Sequence, residues 1–380
     1  MRIDPEVRAL GLVSLLNDVG SEMIYPILPA FLVGALGASP TTLGAIEGTA
    51  EAAASIFKTA FGFLSDRKNR KTFVVVGYAL SAASRPLLAL ARSGPAVLLV
   101  RLLDRGGKGV RTAPRDALVA QATDPASLGR AFGFQRAMDN VGAVVGPLAG
   151  ALALATLGTP QAVFLIAVIP GVLATLAVQL FVRDRPPAIL PAAPEGHEEV
   201  PREFIAYLVV LAIFTLGNSS DTFLLLRAEQ GASLGGVAAL WALHNLVKAV
   251  LSAPLGTLSD RIGRKLSIGV GWGIYALTYA GFAWGGVPVA ALFCLYALHY
   301  SFSEGPERAL VAELSGGRRG GRAFGLYHGL TGAMLLPASL LTGALWTRFG
   351  APCALLTGAG LAGVASLGLL FLVPERRPAS

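Results

Sequence analysis

Apolar runs of about 20 residues, long enough to cross a bilayer about 30 Å thick as helices, recur along the whole chain and are broken by short polar clusters. The pattern predicts twelve spans: 9–34, 43–64, 73–91, 95–120, 131–156, 161–182, 204–226, 234–257, 267–285, 288–312, 324–347 and 352–374. The widest polar break, RDRPPAILPAAPEGHEEVPRE (183–203), is rich in Pro and charge and reads as a linker. The expected fold is an all-α membrane protein with twelve transmembrane helices in two six-helix pseudo-symmetric bundles. Residues 1–182 form the first bundle, 183–203 a cytoplasmic linker and 204–380 the second bundle.

Composition agrees with this pattern. The 380 residues are 54% hydrophobic and only 14% charged, whereas soluble domains carry roughly 25% charged residues. The net charge of +8 reads as topology. Arg67, Lys68, Arg70 and Lys71 follow the second span, Arg261, Arg264 and Lys265 the eighth, and Arg318, Arg319 and Arg322 the tenth, while loops 35–42 and 157–160 carry almost none. Positive charge marks the cytoplasmic side, so a multi-pass protein of the cell membrane with both termini cytoplasmic is expected. No basic soluble face suits nucleic acid. Cys294 and Cys353 fall in apolar segments and imply neither a disulfide framework nor a metal site. The N-terminus lacks a signal-peptide pattern, since Asn17, Asp18 and Glu22 interrupt the first apolar run. Without a Walker loop or a Ser-His-Asp context, neither ATP-driven transport nor an enzyme is expected. No cofactor is expected either, and the partners are membrane lipid, a small-molecule substrate and a proton or other cation, in a monomer.

The two halves repeat. GFLSDRKNRK (62–71) returns as GTLSDRIGRK (256–265), APRDALVAQ (113–121) as GPERALVAE (305–313), and GRAFG (129–133) as GRAFG (321–325), all offset by about 190 residues. Three ordered matches at one offset indicate a duplicated six-helix unit, as in transporters whose halves are parallel repeats around a midplane site.

The repeated loop resembles the signature of the major facilitator superfamily between its second and third helices, G-x-x-x-D-R-x-G-R-[KR]. Gly62, Asp66, Arg67, Arg70 and Lys71 match in the first copy, where Asn69 replaces the usual Gly. Gly256, Asp260, Arg261, Gly263, Arg264 and Lys265 match in the second. The resemblance implies a cytoplasmic latch, with Asp66 facing a helix of the other half and Arg70 and Asp116 beside it. GAVVGPLAGAL (142–152) resembles the fifth-helix signature of the superfamily's proton-coupled exporters through Gly142, Gly146, Pro147 and Gly150. RLLDRGGKG (101–109) is a poorer match to the fourth-helix signature, because Arg105 stands where a Gly belongs.

Ionisable residues inside membrane helices are costly and usually line a cavity or pair. Asn17, Asp18, Ser21 and Glu22 share one face of the first span, one turn apart. Glu47, Glu51 and Lys58 fall within about 40° of one another in the second. Arg85 lies in the third. Arg101, Asp104, Arg105, Lys108, Arg111 and Arg115 share a broad face of the fourth, and Arg136, Asp139 and Asn140 a face of the fifth. Asp18, Glu22, Glu47 and Glu51 are candidates for ion coupling, since nearby acids raise and nearby Arg lowers a carboxyl's proton affinity. Arg85, Arg105, Lys108 and Arg111 suit an anionic substrate group. The same residues also fit a structural network in which the acids neutralise the cations. The second half offers Asn218, Ser219, Asp221, His244, Asn245, Lys248, Tyr296, His299, Ser303 and Glu307. His244 and His299 read as hydrogen-bonded cavity residues, since no close His, Cys and carboxylate cluster accompanies them.

The expected function is secondary active transport by alternating access, with proton-coupled efflux of a small organic or amphipathic solute by an antiporter. The alternatives are cation- or proton-coupled uptake of an anionic metabolite, and metal-ion export. From another class, a lipid scramblase would move lipid without an ion gradient, and a membrane enzyme would need a nucleophile or metal cluster.

Overall fold

The computed structural model describes residues 4–65, 69–123, 128–183, 201–314 and 320–373. Asp66, Arg67 and Lys68 of the first signature loop lie outside the described residues, as do most of the linker (184–200), Arg318, Arg319 and both chain ends.

Among the described residues the regular structure is helical, in fifteen α segments and one π turn that make up the twelve spans. The first span is α1 (Pro5–Ile24), α2 (Leu28–Ala30) and the π turn Phe31–Ala35. The second to fifth are α3 (Pro40–Ser65), α4 (Arg70–Leu90), α5 (Gly94–Gln121) and α6 (Leu128–Leu157). The sixth is α7 (Pro160–Ile166) with α8 (Val168–Phe181), and the seventh α9 (Arg202–Gly217) with α10 (Thr222–Ala228). The last five are α11 (Leu234–Ile262), α12 (Arg264–Trp284), α13 (Val289–Leu314), α14 (Gly320–Phe349) and α15 (Ala351–Leu372).

Three spans expected as single runs are therefore broken. Pro26 and Pro29 lack the N–H that would continue the first span, and each ring clashes with the carbonyl four residues back. Pro170 does the same to Ile166, and the sixth span breaks at Ala167. The seventh has no Pro at its break. There Asn218, Ser219, Ser220 and Asp221 follow Gly217, and such side chains compete for local backbone groups. Thr222 donates its hydroxyl to Ser220 Oγ at 2.9 Å.

The chain packs as two units. The first comprises Met1–Ala38, Thr49–Ala192 and Ala228–Ala242, and the second Ser39–Gly48, Ala193–Arg227 and Leu243–Ser380. In the first, α1 packs on α6 and α8, and α4 on α5, α7 and α8. In the second, α12 packs on α13 and α15, and α9 on α14 and α15. Small residues make the closest approach. A Cβ at Gly142 would lie 2.8 Å from Leu15 O, at Gly146 2.7 Å from Val19 O, and at Gly150 2.6 Å from Met23 O. This stripe lets the α6 backbone lie directly against α1.

Eight of the described helices are long and apolar enough to cross a membrane by length and composition. Large apolar side chains such as Leu90 (72%), Trp284 (76%) and Phe371 (81%) stand exposed, as lipid-facing residues do. The four spans that miss that standard are headed by α1, α3, α5 and α13, which carry most of the interior charge.

The two copies of the signature loop end differently. Asn69 (φ −57°) caps α4, its Oδ1 accepting the Thr72 N–H at 3.2 Å. Gly263, its counterpart before α12, has φ +94° and no side-chain cap, a left-handed backbone that glycine adopts without steric cost.

Candidate functional site

The first unit gathers its charge on α4 and α5. Arg85 of α4 is 2% exposed. Its Nη2 donates to the Asn17 carbonyl at 2.9 Å and to Asn17 Oδ1 at 2.8 Å, and its Nη1 to the Ala167 carbonyl at 3.2 Å. Gly20 and Gly171 keep the slot open: a Cβ at either would come 2.2 Å or 2.5 Å from Arg85 Nη1. Asn17 Nδ2 in turn donates to Asp18 Oδ1 at 3.1 Å.

One turn steps along α5 place four more basic side chains. Arg101 and Arg105 flank Asp104, at 3.4 Å and 3.8 Å from its Oδ2. Arg105 Nε also lies 2.7 Å from Glu51 Oε1 of α3, a close ion pair without an aligned hydrogen bond. Arg111 Nη1 donates to Ser81 Oγ at 2.7 Å, and its guanidinium sits 4.7 Å from the Tyr78 ring centroid. Ser81 Oγ donates to the Asp104 carbonyl at 3.0 Å. Lys108 is exposed. Among the described residues, Arg85 and Arg111 thus contact neutral groups only. A small cavity opens beside Arg85, lined by Ser21, Ser84, Arg85, Arg101 and Asp104 together with Ile24, Leu88 and Val100.

Farther along, Arg115 joins Asp116 at 3.0 Å, Asp139 at 4.0 Å and Ser14 Oγ at 2.8 Å. Asp116 therefore neutralises its neighbour on α5. Arg136 stands exposed on α6 and Asn140 is half-buried. Of the coupling candidates, Glu51 is held by Arg105, and Glu22 Oε2 accepts the Trp241 Nε1–H at 2.8 Å, with Tyr25 stacked obliquely on that indole at 5.5 Å. Glu47 is buried in the second unit, at 1% exposure.

The second unit builds its polar interior from aromatic side chains. Tyr296 and Tyr300 both donate their hydroxyls to Asp221, at the break between α9 and α10. Tyr275 donates to the Gly217 carbonyl at 2.9 Å, and the Tyr275 and Tyr279 rings stack at 4.1 Å. Asn218 is half-buried beside the break. Lys248 sits 5.1 Å from the Tyr300 ring centroid. His244 and His299 are buried, with Nδ1 on the Phe293 and Gly271 carbonyls at 3.2 Å and 3.0 Å. Among the described residues no group of His, Cys, Asp and Glu is arranged to hold a metal. Glu307 of α13 accepts from Trp272 Nε1 at 3.0 Å and from the Tyr327 hydroxyl at 2.9 Å.

Of the latch residues described, Arg264 is tied within its own unit, to Glu313 Oε2 at 2.8 Å and the Ala309 carbonyl at 3.3 Å. Arg70 is buried, and Asp260 and Arg261 are exposed. Among the described residues, a Cβ at Gly62 would lie 3.4 Å from Ala113 Cβ, and one at Gly256 would meet nothing within 4 Å.

The family model described as Major Facilitator Superfamily matches residues 10–226 and 204–380. The chain belongs to the Major Facilitator Superfamily. An uncharacterized MFS-type transporter of Methanocaldococcus jannaschii is 36% identical over 386 aligned positions, covering 97% of this chain and 95% of that one. The nucleoside transporter NupG has the same fold, with a TM-score of 0.81 at 13% identity over 96% of this chain and 98% of that one. So does a POT family transporter solved in complex with 5-aminolevulinic acid, with a TM-score of 0.81 at 13% identity over 98% of this chain and 96% of that one. Membership makes this chain a multi-pass secondary active transporter of a small solute, working by alternating access, and not an enzyme. It does not separate the superfamily's exporters from its importers.

The sequence reading missed the partners of the charges. Ser14, Tyr78, Ser81 and Trp241 carry no signal beyond their polar tips. The tyrosines do carry one: 275 and 279, and 296 and 300, are each one helical turn apart.

Proposed function

We propose that this superfamily member carries a small anionic solute into the cell, coupled to a proton or another cation. Uptake of an anion against an inside-negative potential requires accompanying positive charge, hence the coupling. The observation that carries the reading is the pair of buried guanidiniums, Arg85 and Arg111, which contact only neutral groups among the described residues. Asp104 acts on both guanidiniums, and Asp18 on Arg85, only from beyond contact distance. A desolvated cation without a counter-charge in direct contact is unfavourable, and a carboxylate or phosphate meeting it gains a charge-assisted, often bidentate contact. Lys108, exposed on the next turn, adds a third cation. The same fold is found in a nucleoside transporter and in a POT family transporter that holds 5-aminolevulinic acid, so it accommodates small polar metabolites. The sequence feature that favoured efflux, the Gly142–Gly146–Gly150 motif, is accounted for by packing on α1. Of the acids of the first two spans, Glu51 serves Arg105.

The test is a thermal-shift screen of purified protein against carboxylates, phosphates, and neutral and cationic metabolites. A ligand at about 100 times its Kd stabilises the folded state by about 2.7 kcal/mol. Anions should raise the transition, and the shift should vanish in Arg111→Gln. Accumulation of the hit in right-side-out vesicles under an inward proton or sodium gradient tests the direction. A hit list of neutral or cationic solutes alone would falsify the reading, and movement only outward would restore efflux.

A further inference from the structure

Among the described residues, Glu307 of the second unit has no cation in contact with it. Glu307 is 8% exposed, and each of its oxygens accepts one neutral hydrogen bond, Oε1 from Trp272 of α12 and Oε2 from Tyr327 of α14. Among the described residues nothing basic touches it. On its own helix Glu304 and Arg308 pair with each other at 3.0 Å. From α9, Tyr207 interacts with its charge and keeps a buried hydroxyl without a partner among the described residues. From α12 comes Trp272, with Arg264 near the start of that helix engaged by Glu313 at 2.8 Å. From α14 come Tyr327 and His328, their rings 5.0 Å apart. By contrast Glu51, Asp104 and Glu313 each lie against an arginine.

The internal repeat sharpens the contrast. Pro114-Arg115-Asp116 in the first copy aligns with Pro306-Glu307-Arg308 in the second. The residue after the proline has reversed its sign. In the first unit Arg115 lies against two carboxylates, Asp116 at 3.0 Å and Asp139 at 4.0 Å. In the second, among the described residues, the matching acid is contacted by an indole and a phenol, with Arg308 acting on it only from beyond contact distance. A buried carboxylate without a counter-ion exists at high cost as the anion and takes up a proton readily. Tyr327 suits both forms: its hydroxyl donates to the carboxylate, and turns to accept from the carboxyl once a proton is bound. Trp272 donates in either state.

We propose that Glu307 is the residue that carries the coupled proton, taken from water on one side of the membrane and released to water on the other. This rests on the reading of the chain as an ion-coupled transporter. It moves the proton from the acids of the first two spans to the tenth.

Trp272 is a built-in reporter. In a variant with Trp241, Trp284 and Trp346 replaced by Phe, the emission of Trp272 should follow a single titration that disappears in Glu307→Gln. Tyr327→Phe removes a bond that is stronger to the carboxylate than to the carboxyl, and should move the midpoint up by about one pH unit, which corresponds to a difference of about 1.4 kcal/mol. Infrared difference spectra should show a carboxyl stretch that is lost in Glu307→Gln. In vesicles, Glu307→Gln should keep substrate exchange and lose proton-driven accumulation at least about tenfold. A Trp272 signal equally flat, or equally titrating, with Glu307 and with Gln overturns the proposal. So does normal proton-driven accumulation in Glu307→Gln. Should the Gln variant fail to fold, Glu307→Asp takes its place, and an unshifted titration there overturns the proposal. The spectroscopic titration needs no substrate, so failure to find an anionic ligand is a separate result.

Discussion

In the first unit, interior charge meets charge: Glu51 on Arg105, Asp104 between Arg101 and Arg105, and Arg115 beside Asp116 and Asp139. In the second, Asp221 rests on the hydroxyls of Tyr296 and Tyr300, and Glu307 on Trp272 and Tyr327. The two units descend from one repeated sequence, yet they solve desolvation in different ways. Opposite charges attract strongly in a medium of low polarity but leave a stranded ion when one is lost. Neutral donors attract less and leave less behind. The first arrangement suits fixed cations awaiting an anion, and the second suits acids that change their protonation.

Four measurements test that contrast, in descending order of expected effect. Arg105→Met strands Glu51 and Asp104, and should lower unfolding stability by about 3 kcal/mol. The double variant Arg105→Met, Glu51→Leu should recover part of it, read from melting curves in detergent. Equal losses in single and double variants would remove the ion pair from the account. Gly171→Ala, which puts a methyl on Arg85 Nη1, should cost about 1–3 kcal/mol by overpacking and abolish the anion-induced thermal shift. Retention of that shift would separate Arg85 from substrate. Asp221→Asn keeps both phenol bonds in weaker form and should cost only about 1 kcal/mol; a loss as large as that of Arg105→Met would erase the difference between the units.

The smallest effect concerns Glu229, in the loop after α10, outside the spans. Its Oε1 is buried without a partner among the described residues, and burial pushes its carboxyl up to about 7, against a lowering contact from the Ala30 N–H. A carboxyl whose folded-state value lies above its unfolded one binds more proton when folded. Its contribution is complete at pH below the ordinary carboxylate range and fades as pH rises through about 7. Melting temperature should therefore decline slightly over that interval, and Glu229→Gln should flatten the decline. An unchanged slope in the variant would mean another group titrates.

The twelve spans and the duplication were legible in the sequence because length, apolarity and repeated turns are properties of the chain itself. The breaks at Ala167 and at Asn218–Asp221 were not, since an apolar run stays apolar whether or not its ladder is interrupted. Pro170 announced the first of these, four residues ahead of the carbonyl it displaces. For the site, the charged residues were visible and their partners were not. That Arg105 meets Glu51 while Arg85 meets Asn17 depends on how α1, α3, α4 and α5 pack. The glycines at 20 and 171 gave no hint that they shape a slot for Arg85.

The two ends of the signature loop carry a consequence for substitution. Asn69 holds an ordinary backbone and works through its side chain, so Asp, Ser or Thr offers the same cap. Gly263 works through its backbone alone, at a φ of +94° that side chains of the L series rarely adopt. Position 69 should tolerate a small family of replacements in a saturation screen, and position 263 should admit almost none. One ancestral loop has thus become two positions with opposite mutational freedom.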